Sequence, residues 1–474
     1  MTLVIRIARE QWRGLRRNHV AVFGLALLTV LTGIAALSAY EHQYQANVQR
    51  TRYQALANDA FESQPDRHPH RMAHFGHFLF RPLNPLAAFD PGIDAYTGNT
   101  LFLEAHRQNS ANFGDVRQSS LLLRFGQLTP AFVLQVLAPL LLVFVGHALV
   151  ARERESGTLR VLLAQGIGSR KLLMGKWLAL AGFAIITGLP AVLALLWLLY
   201  SGQVDGLPVS ILLLGYALWL GLWSLLVVWV SALCVRGRDA LLALLAIWAI
   251  GVILLPRAVP DIANTIVTLP TRFETEIQVE RDYQALGDAH NPDDPAFAVF
   301  RDKVLAEYGV DRIEDLPVNF KGLVGAEGER QSSELFSRYA DAHFHQQERQ
   351  IGWVNRFAWL SPTLALRRLS MATARTDLAN FRHFLQQGEQ YRYDLVQGLN
   401  HLQAHAMTLD EDQGSTSRIS HEHWQDFPTF AYIPLPASET MRQVVPALGI
   451  LLLWLVGLAL LVWQTGGRLG KGVR

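Results

Sequence analysis

Six stretches of this chain carry no Asp, Glu, Lys or Arg: 18–40, 125–151, 177–204, 206–235, 240–256 and 443–467. A helix needs about 20 apolar residues to cross a bilayer core, and roughly 17 is the lower limit. Five stretches exceed 20 residues; 240–256 has 17 and is expected to continue outward as helix. Half of the 474 residues are apolar and 17 % are charged, too greasy for a soluble protein of this length. The pattern predicts an all-α polytopic membrane protein with six transmembrane helices, at 18–40, 125–150, 177–200, 209–234, 240–256 and 443–464. The first is read as an anchored helix, not a cleavable signal, because it is long and lacks a small-residue exit.

Charge sets the orientation. Segments 1–17, 151–176, 235–239 and 467–474 hold 16 Lys and Arg against four Asp and Glu. The alternate segments differ: 41–124 has eight of each sign, and 257–440 has 17 basic against 27 acidic residues. Basic loops stay on the cytoplasmic side. Both termini and the 151–176 loop are therefore expected inside, the 41–124 region and a mainly helical 257–440 domain outside, and 465–474 as a cytoplasmic tail. The one cysteine, Cys234, leaves the outer regions without disulfides, so they must fold on their own cores.

The outer regions carry their own signals. After an initial helical stretch, 41–124 turns rich in Pro, Gly, His and Asn. In 257–440, Asp294-Pro295 and Ser361-Pro362 each place a capping residue before a first-turn proline, and long helices are predicted over 329–358 and 377–406. His68, His70, His74 and His77 are the candidate metal ligands, with His74 and His77 able to share a helical face. Pro69 and Gly76 make that stretch loop-like, and the outer regions are not rich in methionine, so no metal site is expected.

Between the second and third spans, Leu159, Leu162 and Leu163 fall three to four apart and give a short helix a small apolar face. Gly166-Ile-Gly168 should end that helix, and Ser169 should cap the next. On the residues alone, this is equally an ordinary basic connection. Residues 3–17 read as an interfacial helix, with Val4, Ala8, Trp12 and Leu15 on one face and Arg9, Arg13 and three further arginines around it.

Catalytic motifs are missing. Gly175-Lys176-Trp177 lacks the preceding glycine and following hydroxyl of a phosphate-binding loop, His421-Glu-His423 is not HExxH, and there is no GxSxG. With no carboxylate in the six runs, and with His147 of the second span more readily a packed, hydrogen-bonded residue than a relay, an ion-driven carrier is disfavoured. No enzyme activity is expected of this chain.

Glu153-Arg-Glu155-Ser-Gly157-Thr158-Leu159, then Leu162-Leu163, Ser169-Arg170 and Gly175-Lys176, resembles the loop after the second span in permeases of type-2 ABC transporters. The resemblance implies that this loop is a coupling helix docking on a separate ATPase subunit, which binds ATP and Mg; this chain itself holds no cofactor. It also implies that the helix carrying Arg9, Trp12 and Arg13 lies near that ATPase. Arg81-Pro-Leu-Asn-Pro85, Asp90-Pro-Gly92, Glu104-Ala-His-Arg-Gln-Asn109 and Leu360-Ser-Pro-Thr363 with Thr376-Asp377 resemble a branch of that family with large extracytoplasmic insertions of unknown function. The expectation is therefore a permease subunit of an exporter in a bacterial inner membrane. Its partners would be an ABC ATPase, a second permease copy or homologue, the lipid bilayer and a periplasmic protein, but no nucleic acid. The alternative is a polytopic sensor or assembly factor for a periplasmic partner, a metal-related one included, that transports nothing.

Overall fold

A computed structural model describes residues 3–108, 128–413 and 417–471. Residues 1–2 of the expected interfacial helix, 109–124 of the first outer region, the expected second-span start at 125–127 and the last three tail residues lie outside the described residues. The chain is an all-α polytopic membrane protein, and among the described residues six helices are long and apolar enough to cross a bilayer: His19–Glu62, Pro130–Glu155, Ser169–Tyr200, Gly206–Leu233, Gly237–Ile266 and Ala437–Gly470. They are numbered here as spans 1 to 6. Spans 2 and 4 are mostly buried, whereas spans 1, 5 and 6 present much of their surface outward. The bundle core joins Leu142 of span 2, Phe183 of span 3, Trp219 and Trp223 of span 4 and Leu451 of span 6.

Span 1 is far longer than the expected 18–40. Asn18 caps it, accepting from the amides of Val20 and Ala21. Its 44 residues would reach about 66 Å, roughly twice a bilayer core. The second half is therefore an arm, and it carries a hairpin. Strand β1 (His77–Phe80) pairs antiparallel with β2 (Thr100–Leu103), His77 opposite Leu103 and Phe80 opposite Thr100. Gln54 of the arm covers the open edge of β1, donating to the Phe78 carbonyl and accepting from the Phe80 amide at 3.1 and 3.0 Å. Asn47 does the same for both backbone groups of Leu83.

Prolines inside two spans are accommodated in one way. Before Pro139, residues Val133–Leu137 widen into a π turn, in which Ala138 donates to Val133. The next donor in that register would be Pro139, which has no N–H, so the Leu134 carbonyl is left over. Trp219 of span 4 takes it, its indole donating at 3.1 Å. Span 5 repeats the arrangement over Ala249–Leu254, where Leu255 donates to Ile250 and Pro256 leaves the Gly251 carbonyl unpaired. The Ser361 and Thr363 hydroxyls supply that carbonyl at 2.6 and 2.9 Å. Span 5 then continues as helix to Ile266, ten residues past the expected end at 256, because the proline is absorbed and does not stop it.

The two outer regions fold into one body. Long helices Phe320–Phe357 and Leu378–Ala406 pack together and receive the hairpin. At their junction Arg392 is fully buried, reaching Glu329 at 2.6 Å, Glu389 at 2.7 Å and the Glu104 carbonyl at 3.3 Å. Glu329 in turn accepts from the His106 amide. Hydrogen bonds from His68, Gln403 and Asn319 hold Asp412. Burial opposes ionisation there, but these bonds outweigh it and keep the carboxyl well below the usual range. One helix of the expected 257–440 domain does not stay with this body. Pro362–Ala374 packs among spans 4 and 6, burying Leu364, Ala365, Leu366 and Leu369 in the bundle core.

Candidate functional site

The 151–176 loop sits at the end of the bundle opposite this outer body. It contains the short helix Thr158–Ala164, preceded by Gly157 at φ +76°. A non-glycine residue is strained in that left-handed region, so the backbone turn explains Gly157. Nothing in the chain crowds its Cα. Gly166 closes the helix, with the Gly166 and Ile167 amides bonded back to Leu163 and Leu162.

The helix presents a different face from the one expected. Leu159 is 5 % exposed and packs inward, so it cannot anchor a partner without the loop opening. Val161 is 55 % exposed. Leu162 and Leu163 are half-buried, and Thr158 and Arg160 are exposed. The outward surface is therefore Val161 flanked by leucine edges and Arg160.

Much of the loop's charged and polar chemistry is spent on the chain itself. Glu153 pairs with Lys176 at 2.7 Å, and Lys176, 2 % exposed, also donates to the Leu149 carbonyl at 2.6 Å. Arg154 donates to the Ala232 and Leu233 carbonyls at the end of span 4. Glu155, within the stretch expected to dock on the ATPase, accepts from the Gly237 amide at the start of span 5 at 3.1 Å. A carboxylate there suits the positive end of a helix. The Ser231 hydroxyl of span 4 accepts from the Val150 and Ala151 amides where span 2 breaks. Ser169, expected as a cap, lies inside span 3, and its hydroxyl donates to the Gly466 carbonyl of span 6 at 2.5 Å. Arg170 lies over the Trp463 ring at 4.3 Å. Spans 2 to 6 are thus tied together through this one loop.

The amphipathic helix Leu3–Arg17 joins the same end. A Cβ on Gly175 would lie 2.7 Å from Ile7 and 3.0 Å from the Val4 carbonyl, so glycine is what allows span 3 and this helix to approach. Trp12 meets Phe183 with ring centroids 6.5 Å apart. Much of the apolar face expected to rest on lipid is therefore taken by span 3. Arg9 and Arg13 are exposed, Arg13 paired with Glu10. Gly175 and Lys176, the residues nearest to a phosphate loop in sequence, are both occupied by these contacts.

At the other end, sequence reasoning missed a polar cluster. No run of the sequence has a carboxylate, yet the buried Asp90 is carried by its loop to Ser370, Gln135 and Tyr216. Gln135 donates to the Tyr216 hydroxyl at 2.8 Å, and Tyr216 meets Ser370 at 3.0 Å. Burial pushes the Asp90 carboxyl up.

The histidine candidates separate. His68 is occupied by Asp412 at 2.6 Å and by the His70 amide. The chain turns at Gly76, and His77 enters β1, buried against Phe61 and not beside His74. Burial lowers the His77 imidazole to about 4. His70 and His74 stay together and are joined by His106 and His290, which the sequence did not single out. This corrects the expectation of poor geometry around Pro69: Pro69 starts a short helix, Pro69–Ala73, whose turn brings positions 70 and 74 side by side.

Residues 7–58 match the family described as the N-terminal TM domain of oligopeptide transport permease C. Residues 272–433 match a domain of unknown function, DUF3526. No curated protein and no solved structure matches the chain. The first match covers most of the amphipathic helix together with the length of span 1. With the six apolar helices, it supports a membrane permease subunit of an ABC transporter.

Proposed function

We propose that this chain is the membrane subunit of a type-2 ABC exporter, driven by an ATPase that docks on the Thr158–Ala164 helix. The observation that carries this reading is the wiring of the loop. One short helix with an exposed apolar residue, Val161, leads through Glu153, Arg154, Glu155 and Ser169 to the ends of spans 3, 4, 5 and 6. Force applied to that helix by nucleotide-driven closure reaches most of the bundle through hydrogen-bonded contacts, as a rigid-body switch requires. The type-2 assignment rests on the Glu153–Leu159 pattern, and export on the same resemblance. The loop end is cytoplasmic by its positive charge, and the body that holds the hairpin and the helices Phe320–Phe357 and Leu378–Ala406 is extracytoplasmic. The pathway needs a second permease copy or homologue, because six spans supply one half.

The test is purification of the full chain from native membranes, with and without Val161→Asp. The wild-type chain brings an ABC ATPase with it. Loss of an interface anchor costs about 2 kcal/mol or more, roughly 30-fold in affinity. The variant should therefore lose the ATPase while still inserting in the membrane. If no ATPase accompanies the wild-type chain, the sensor or assembly-factor alternative replaces this reading.

A further inference from the structure

We propose that His70, His74, His106 and His290 form a binding site for one divalent metal ion, zinc(II) or copper(II), that staples the two outer regions together. Their candidate ligand nitrogens all lie within 4.8 Å of one another. The rings crowd a common point: His70 and His74 have centroids 4.7 Å apart, His70 and His290 4.9 Å, and His106 and His290 5.0 Å. The four residues come from three separate segments, so no local sequence pattern forces them together. A tetrahedral site with metal–nitrogen bonds of about 2.0–2.1 Å has its ligand atoms roughly 3.4 Å apart. Closing from the observed spacing takes movements of about 1 Å, within reach of rotation by His74 and His290, both exposed.

The surroundings orient the rings as metal ligands are oriented. His106 Nδ1 faces Glu329 at 3.1 Å, and His106 Nε2 is buried with no hydrogen-bond partner among the described residues. His290 Nδ1 faces Asp288 at 2.9 Å. In both, a carboxylate holds one ring nitrogen and leaves the other for a metal ion, the arrangement that fixes the tautomer of a ligating imidazole and raises its basicity. Glu329 is itself fixed by Arg392 at 2.6 Å. Four neutral imidazoles without thiolate or thioether donors select zinc(II) or copper(II) over magnesium or calcium, which prefer oxygen. An ion there would join the Pro69–Ala73 helix and the His106 turn, both in the first outer region, to the His290 loop in the second.

The test uses the full-length chain in detergent, carrying no polyhistidine tag. The protein is stripped with chelator, loaded separately with zinc(II) or copper(II), desalted and assayed for metal content. About one ion per chain is expected with at least one of the two metals, and the loading arm that succeeds identifies the ion. His74→Ala and His290→Ala alter exposed side chains and should fold; each should weaken binding more than tenfold. Asp288→Asn should weaken it by about ten- to a hundredfold through His290. His19→Ala, at the exposed start of span 1 and outside the outer body, should leave it intact. Failure of the wild-type chain to retain either metal would overturn the proposal. So would full retention after His74→Ala and His290→Ala are combined.

Discussion

Removing the two partners of the Glu153–Lys176 pair one at a time should have unequal consequences. Lys176 is 2 % exposed and Glu153 keeps a quarter of its side chain in contact with the surroundings. Glu153→Ala strands a buried ammonium with only the Leu149 carbonyl at 2.6 Å for company. Breaking a buried pair in this way costs about 3–5 kcal/mol, and the partial exposure of Glu153 argues for the lower end, about 3 kcal/mol. Lys176→Met replaces the stem by a side chain of similar volume and orphans one carbonyl, and Glu153, a quarter exposed, is released to turn its carboxylate outward, a loss of about 1 kcal/mol. Glu153→Ala combined with Lys176→Met removes both charges and should recover about 2 of the 3 kcal/mol lost with Glu153→Ala alone, a coupling of about 3 kcal/mol in a double-variant cycle. Thermal unfolding in one detergent, read by tryptophan fluorescence, gives the order: wild type, then Lys176→Met and the double variant close together, then Glu153→Ala lowest. The reasoning is refuted if Lys176→Met melts below Glu153→Ala, or if the double variant is no better than Glu153→Ala.

The other predictions concern both ends of the molecule. His77 is buried with neither ring nitrogen hydrogen-bonded among the described residues, and its folded value of about 4 lies below the unfolded value of about 6.5. The unfolded chain therefore binds the extra proton first, and the outer body should lose about 3 kcal/mol as pH falls from 6.5 to 4. His77→Leu should remove this dependence in melts taken across that range. Gly175→Leu puts a side chain where Ile7 and Val4 already lie, so it should detach the Leu3–Arg17 helix and speed tryptic cleavage at Arg16 and Arg17, with the bundle still folded. Ser361→Ala with Thr363→Val leaves the Gly251 carbonyl without a donor and should cost about 1–3 kcal/mol in the same melts, more than either change alone.

The spans were legible because bilayer thickness imposes a length and a composition that survive any tertiary arrangement. Helix ends were not. A helical stretch after residue 40 and an outward continuation of 240–256 could be read, but not how far either runs: the arm on span 1 is too polar for an apolar-run criterion, and span 5 passes Pro256 only because Ser361 and Thr363, over a hundred residues away, supply a missing donor. In the loop, the sequence showed a short helix and its glycine stop. It did not show which leucine faces inward, because three apolar residues on two turns leave the facing open until the neighbours are known. Glu155 and Ser169 read as partner-facing or capping groups, and their use at Gly237 and Gly466 depends on long-range placement. His290 is the clearest limit: Asp288-Ala-His290 is unremarkable in sequence, and only the packed outer regions bring it to His70 and His74.

The most direct test of the coupling assignment is site-specific crosslinking in a Cys234→Ser background, which removes the one native cysteine. Single cysteines are placed at Val161, exposed on the loop helix, and at Val299, 82 % exposed on the outer body. Each chain is expressed with its cognate ATPase and treated with a short bifunctional thiol reagent. The account predicts a permease–ATPase adduct from position 161 and none from position 299. An adduct from 299 but not from 161, or the ATPase held in the complex without any adduct from 161, would contradict it.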